Sequence, residues 1–390
     1  MKLRFKPIAV TALLVTTSII VSFTYAGKKI KATKPSANAN PKIQVAVLLD
    51  VSGSMDGLIE QAKAQLWNMV SVMGKAQCNG VAPSVEIALY EYGRSTNDVK
   101  AGYVKKINGF INDLDSLSQN LFSLKTNGGD EYCGQVIFTA LQDLQWDASP
   151  QNYKVIFIAG NEDFLQGSLH YTRACTDAKN KGVIVNTIYC GDKMQGIREH
   201  WNLAGECGNG SYTNINQNAR EIDIPTPYDS LIYSLNNQLN NTYIAYGYGG
   251  GGKKAKQEQM DAANAAMSKE AALKRIKAKS SGKVYNNAQW DLVDAKDRDG
   301  DGVLDKIDKK ELPDSLRNKT TEELKAIVNE KSRARGNIQK EIVTLNTQRD
   351  AYIAAEKAKK ATNASNAATL ETEVEKIIKD QVKRYNMIIQ

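Results

Sequence analysis

The sequence predicts an α/β fold built on a doubly wound, mostly parallel sheet, followed by a second region of helices. Three observations carry this. Apolar runs of strand length occur at 45–49, 155–158 and 183–188. Stretches with helical spacing of apolar residues alternate with them, the pattern of a parallel sheet covered on both faces. A carboxylate and two hydroxyls, Asp50, Ser52 and Ser54, stand directly after the first run, where open sheets of this class present ligand sites.

Residues 43–49 read as a buried strand, and residues 57–74 place Leu58, Ala62, Leu66, Met69, Val70 and Met73 at helical spacing. A second strand is expected at 85–90, a weaker one around Tyr103, and a helix over 134–145. Residues 155–158 form the next central strand, 168–181 a helix and 183–188 another strand. Tyr246, Gly247, Tyr248 and the glycines at 249–252 interrupt the pattern and mark a flexible boundary closing a domain of 42–245. Residues 246–284 then read as a Gly-rich linker and a basic helix. The Ala- and Lys-rich stretch 255–279 has few large apolar side chains and is expected to pack weakly. In 313–390, three apolar stripes (Leu324, Ile327, Val328; Ile338, Ile342, Leu345; Leu370, Val374, Ile377, Ile378) predict two long helices broken by the Asn/Ser/Ala segment 362–369. They are expected to fold as a hairpin. A parallel coiled-coil dimer, oligomerising through the same helices, is the alternative, with Arg349 at a seam position.

The first 26 residues carry Lys2, Arg4 and Lys6, then an apolar stretch, then Thr24, Tyr25 and Ala26. This is the pattern of a secretory signal cleaved after Ala26, with an uncleaved membrane anchor as the alternative. Residues 27–41 form a polar spacer. Export to a bacterial periplasm, cell envelope or exterior would permit disulfides among the five cysteines at 78, 133, 175, 190 and 207. Two pairs and one free thiol allow about fifteen connectivities; buried free thiols are the alternative. The net charge of +8 is unevenly distributed: +7 over 1–41, −6 over 42–252 and +7 over 253–390. An acidic α/β domain argues against nucleic acid as a partner, and the basic residues of the tail are interleaved with acids, as on a solvated helical face.

Magnesium prefers oxygen ligands and is held by one or two carboxylates with water completing its shell. One carboxylate and two neutral hydroxyls would leave such an ion positive and able to capture a partner's carboxylate. The Asp-x-Ser-x-Ser sequence after the first strand resembles the metal-ion-dependent adhesion site of the von Willebrand factor A domain, over roughly residues 42–245. The resemblance implies a Mg2+ ion, or Mn2+ or Ca2+, with Ser52 and Ser54 as direct ligands and Asp50 acting through water. It further implies a threonine from a later loop, for which Thr126 is the candidate. The family's aspartate after the fourth strand is Gly160 here, with Asn161 and Glu162 beside it. Asp130 and Glu131 read as acids at a helix N-terminus, with a supporting role at the ion as the alternative. For Ser52 and Ser54 the competing role is capping the following helix.

A second cation loop is expected at 297–308. Asp297, Asp299 and Asp301 occupy positions 1, 3 and 5, Gly302 position 6, the Val303 carbonyl position 7, Asp305 position 9 and Asp308 position 12. This spacing resembles EF-hand loops and the aspartate-rich repeats of thrombospondin type 3. It implies a Ca2+ ion of modest affinity bracing the junction with the terminal helices.

The expected function is an exported, non-enzymatic binding or adhesion protein that recognises an acidic side chain of a protein ligand through the divalent ion. A structural envelope-assembly protein with a degenerate metal site is the alternative. Catalysis is disfavoured: the two histidines, His170 and His200, make no zinc-ligand motif, and neither a base for the serines nor a phosphate-binding loop is apparent.

Overall fold

The computed structural model describes residues 41–219, 223–360 and 369–389. The expected export signal, the spacer up to residue 40 and most of 362–369 lie outside the described residues. A six-stranded sheet forms the centre. Strand β1 (Lys42–Asp50) leads through helix α1 (Asp56–Gly74) and the short strand β2 (Ala76–Cys78) to β3 (Ser84–Tyr92), β4 (Lys105–Ile111) and helix α2 (Leu114–Ser123). Helix α3 (Cys133–Asp143) precedes β5 (Tyr153–Gly160), and α4 (Tyr171–Lys181) precedes β6 (Ile184–Cys190). Helices α5 (Lys193–Arg198) and α6 (Trp201–Cys207) then lead to β7 (Asn209–Ile215).

The strand order is β4-β3-β1-β5-β6-β7, all parallel except the edge pair β3–β4. The chain winds outward from β1 in one direction and resumes beside it at β5 in the other. The switch point therefore lies between the carboxyl ends of β1 and β5, where a crevice opens. Alternation along β1 feeds two cores: Ile43, Val45 and Leu49 face one way with α1 and α2, and Ala46 and Leu48 the other way with α3, α4 and α6. The strand expected around Tyr103 begins two residues later, Tyr103 itself being in a left-handed turn with φ of 57°. Strand β7 gave no apolar run because all but one of its residues are only half-buried or exposed.

Helix α7 (Asp229–Asn240) is followed by α8 (Gly250–Met267), α9 (Lys269–Lys279), α10 (Leu292–Asp299), α11 (Gly302–Lys306) and α12 (Asp314–Arg317). The 40-residue α13 (Thr321–Lys360), then α14 (Leu370–Gln381) and β8 (Met387–Ile389), complete the chain. The boundary expected at 246–252 is corrected by the structure, since the described residues fall in one compact unit. The Ile244 amide donates to the Asp291 carboxylate (2.7 Å), the Tyr246 amide donates to the Trp290 carbonyl (2.8 Å), and Gly250 already begins α8. The aromatic residues at this junction pack: Tyr243 stacks on Trp290 with ring centres 5.8 Å apart.

The weak packing expected of 255–279 is also corrected. On α9, Arg275 and Lys279 are fully buried beside Leu273 and Ile276. Arg275 donates to Asp115 on α2 (2.8 Å) and Asp261 on α8 (2.5 Å), and Lys279 to Asp261 (2.8 Å) and Asn240 (2.6 Å). Buried cations are retained when carboxylates and further hydrogen bonds satisfy them, and this pairing across 14 to 160 residues of sequence is invisible to a count of apolar side chains.

The terminal helices do not form the expected hairpin. Helix α13 runs against α7, α9, α10 and α11, burying Leu324, Val328, Ile342 and Leu345 within the chain. Its Arg335 donates to Asp291 (2.6 Å) and Asp294 (2.5 Å), and Arg349 to Asp229 (3.0 Å) and Glu270. Helix α14 instead packs on α1 and β7, placing Leu370, Val374, Ile377 and Ile378 in the sheet's own core. Gln381 at its end exchanges two hydrogen bonds with Asn186 of β6 (2.7 and 3.1 Å), and β8 pairs antiparallel with β2. The stripes that suggested a coiled coil are thus covered within the chain, those of α13 by neighbouring helices and that of α14 by the sheet's core.

Among the cysteines, Cys175 and Cys207 form a disulfide, while Cys78, Cys133 and Cys190 are free thiols. The two pairs expected from sequence reduce to one. Titration of the unfolded, unreduced protein is expected to find three thiols, rising to five on reduction; one thiol would contradict this pairing.

Because α14 closes one face of the sheet, Ile378→Ala is expected to lower unfolding stability by about 2–5 kcal/mol in urea. Val343→Ala, at an exposed position of α13, is expected to stay within about 0.5 kcal/mol. Equal effects would place α14 outside the core.

Candidate metal site at the switch point

The site is assembled from four loops at the carboxyl edge of the sheet. Strand β1 delivers Asp50 into a fully buried position, where Oδ1 accepts a hydrogen bond from the Ser52 amide (2.7 Å). The other oxygen, Oδ2, is buried without a hydrogen-bond partner. The Ser52 and Ser54 hydroxyls are 3.4 Å apart, and the Asn161 amide from the loop after β5 donates to Ser54 (3.2 Å). Neither serine caps α1, whose capping position is Met55 and carries no side-chain capping bond. The alternative role as caps is therefore not what these hydroxyls do.

Thr126 lies in the loop between α2 and α3. This loop is tied to the first by the Asn127 amide, which donates to the Val51 carbonyl (2.9 Å). The Thr126 hydroxyl donates to Asp56 at the start of α1. The loop therefore comes to the site, with its threonine turned to the neighbouring carboxylate of α1.

Gly160 has a steric reason. A Cβ there would lie 2.5 Å from the Tyr92 hydroxyl and 3.0 Å from Asp50 Oδ2. Tyr92 is buried and donates to the Ala159 carbonyl (3.0 Å), so the volume that a side chain at 160 needs is already occupied. Asn161, one residue on, brings its side-chain amide against the Ser54 hydroxyl.

Glu131 is placed differently from the expectation. Rather than an exposed acid on the first turn of α3, which begins at Cys133, it is 6% exposed and turned toward the Asp50 loop. Gly93, with φ of 80°, makes room for it: a Cβ there would lie 2.7 Å from Glu131 Cγ and 2.9 Å from Asp50 Oδ1. Asp130, by contrast, is exposed and accepts from the Tyr132 hydroxyl (3.1 Å). Burial pushes the Asp50 carboxyl up to about 7. Burial, and then the charge of Asp50, push Glu131 up to about 8. Two carboxyls crowded into a dry crevice without a cation between them resist ionisation.

Among the described residues no three His, Cys, Asp or Glu side chains come together as a metal cluster. Any ion here would take hydroxyl, amide and water oxygens beside Asp50, a donor set suited to Mg2+ or Mn2+ rather than to a soft metal. The unpartnered Asp50 oxygen fits that role.

The calcium-loop candidates are dispersed. Asp297 and Asp299 lie on α10 and Asp301 precedes α11, so the segment is largely helical instead of an open loop. Asp297 accepts from Ser332 (3.0 Å), Asp299 from Arg298 (2.6 Å), Asp305 pairs with Lys325 (2.6 Å) and Asp308 caps the turn at Lys310 (2.9 Å). Val303 is part of α11. Nearby cations and donors satisfy these acids separately. His170 caps α4 and His200 pairs with Asp163 (3.0 Å), consistent with local structural roles.

No family model and no curated protein matches the chain. Among solved structures, it is similar to proximal thread matrix protein 1 from the mussel byssus with a zinc-occupied MIDAS motif, at 12% identity and a TM-score of 0.35, covering 45% of this chain and 41% of that one. It is similar to a von Willebrand factor type A protein from Catenulispora acidiphila at 13% identity and a TM-score of 0.34, covering 46% and 39%. An aerotolerance-related membrane protein from Bacteroides fragilis gives 16% identity and a TM-score of 0.32, covering 45% and 93%. The chain thus spans about two fifths of the first two proteins.

The raised carboxyl of Asp50 has a defined sign in stability. The folded state holds this proton more tightly than the unfolded chain, so its contribution is full below about pH 4 and is lost as pH rises through about 7. Without divalent cations, Asp50→Asn is expected to become progressively more stable than the wild type between pH 5 and 8, by up to roughly 4 kcal/mol. Mg2+ is expected to raise the melting temperature of the wild type alone. A pH-independent difference in chelator would contradict the buried, unpaired state of Asp50.

Proposed function

We propose that this protein is an exported, non-enzymatic binding protein whose α/β body is a von Willebrand factor A-type module that recognises a protein ligand through a divalent cation. The observation that carries this is the buried Asp50 carboxylate oxygen left without a partner beside the Ser52 and Ser54 hydroxyls. It lies at the sheet's switch point, where the fold class binds ligands. When bound, Mg2+ or a related ion supplies a cationic acceptor for an acidic side chain of the partner.

The residues of this chain have separable parts. Asp50 provides negative charge from below, while Ser52 and Ser54 present neutral oxygens from the β1–α1 loop. Asn161 steadies Ser54 from the β5 loop, and Thr126 lies at the edge, bonded to Asp56. Because residues 42–252 carry a net charge of −6, an acidic ligand is repelled by the body as a whole and attracted only where the cation sits. Export is supported by the composition of residues 1–26 and by the Cys175–Cys207 disulfide. Among the described residues no helix is long and apolar enough to cross a membrane.

The purified protein is expected to bind immobilised bacterial envelope extract in Mg2+, release it in chelator, and lose at least tenfold in retention on Asp50→Ala. Binding indifferent to chelator and to the substitution would remove the metal-dependent mechanism and favour a structural role for the helical region.

A further inference from the structure

We propose that Glu131 is the second carboxylate of the divalent-cation site, supplying the negative charge that Gly160 does not; this rests on the metal-dependent function proposed above. The geometry comes from three elements. Gly93 at the end of β3 has no side chain, and the point where its Cβ would stand is within 2.9 Å of both Glu131 Cγ and Asp50 Oδ1. Glu131 therefore approaches Asp50 across a gap that any residue other than glycine would fill. The Asn127 amide, four residues before Glu131, donates to the Val51 carbonyl (2.9 Å) and ties this loop to the proposed ligand loop.

The position is fixed from the other side too. Gln166, in the loop after β5, accepts a hydrogen bond from the Glu131 amide (3.3 Å) and donates to Glu162 (3.4 Å). The backbone preceding α3 is thus clamped to the loop that lacks a carboxylate at 160.

Among the described residues no lysine or arginine is seen within hydrogen-bond or ion-pair distance of the Glu131 or Asp50 carboxyl. Two carboxylates buried side by side are costly unless a cation accompanies them. The unpartnered Asp50 Oδ2 is the independent sign that such a cation belongs here. Gly160 cannot carry the charge because Tyr92 fills its side-chain space, so the second charge enters from the loop before α3. This alters the expected character of the site. Asp50 and Glu131 together supply the negative charge that holds the ion despite Gly160, and the partner's carboxylate takes a coordination position that these residues leave to water.

Mn2+ binding to the full chain, followed by electron paramagnetic resonance of the free ion, tests this. Glu131→Gln is expected to weaken Mn2+ binding at least tenfold, while Asp130→Asn, at the exposed neighbour, leaves it within twofold. Glu131→Asp, which keeps the charge but withdraws it by one methylene, is expected to fall between. Melting in chelator establishes that each variant folds, and Glu131→Gln is expected to melt no lower than the wild type. Folded Glu131→Gln binding within twofold of the wild type would overturn the role of Glu131 while leaving the metal site standing. No Mn2+ binding by the wild type would overturn both.

Discussion

A carboxylate buried at the end of a central strand, with one oxygen bonded to nothing, is the constraint around which the rest of the molecule is arranged. Asp50 stands where β1 and β5 part, and four loops close over it. Tyr92 fills one side, Gly93 and Gly160 withhold side chains on two others, and Glu131 adds a second acid. Such a centre is unfavourable in isolation and reasonable in the company of a cation. Its instability is local, and it requires a scaffold rigid enough to hold it.

That scaffold is completed by the far end of the chain. The sheet face covered by α1 and α2 needs α14 beside β7, yet roughly 150 residues separate these elements in sequence. The helices between them are held less by large apolar residues than by buried cations such as Arg275, Lys279, Arg335 and Arg349, each with carboxylate partners. Buried ion pairs contribute little net stability compared with apolar packing, but they penalise every arrangement that leaves a partner behind. They therefore act on the specificity with which α7–α13 seat against the α/β body.

Much of the sheet was legible because buried parallel strands are continuous apolar runs, as at 155–158, and because helices between them repeat every three or four residues. The Asp50 loop was legible for the same reason, being fixed by the strand before it. What escaped were features set by distant partners. The basic helix at 255–279 read as weakly packed since the count of apolar side chains does not see Asp115, 160 residues before Arg275, or the pairing of Arg275 and Lys279 with Asp261. The terminal stripes suggested self-association because nothing local identified the sheet as what covers Val374 and Ile378. Glu131 looked like an ordinary helix-start acid; the available hint was its place two residues after the paired glycines 128 and 129, in the loop that approaches the Asp50 turn. Alternating aspartates at 297–305 suggested a calcium loop, but the segment is largely helical, and Ser332, Arg298 and Lys325 engage Asp297, Asp299 and Asp305 separately.

The most direct test of the central claim is crystallographic: anomalous scattering from crystals of the protein grown with Mn2+. The account predicts one strong peak at the carboxyl edge of β1, at direct-ligand distance from the Ser52 and Ser54 hydroxyl oxygens. Well-ordered loops with no peak there at saturating Mn2+ would contradict it, since Asp50 would then be a buried acid that no cation accompanies.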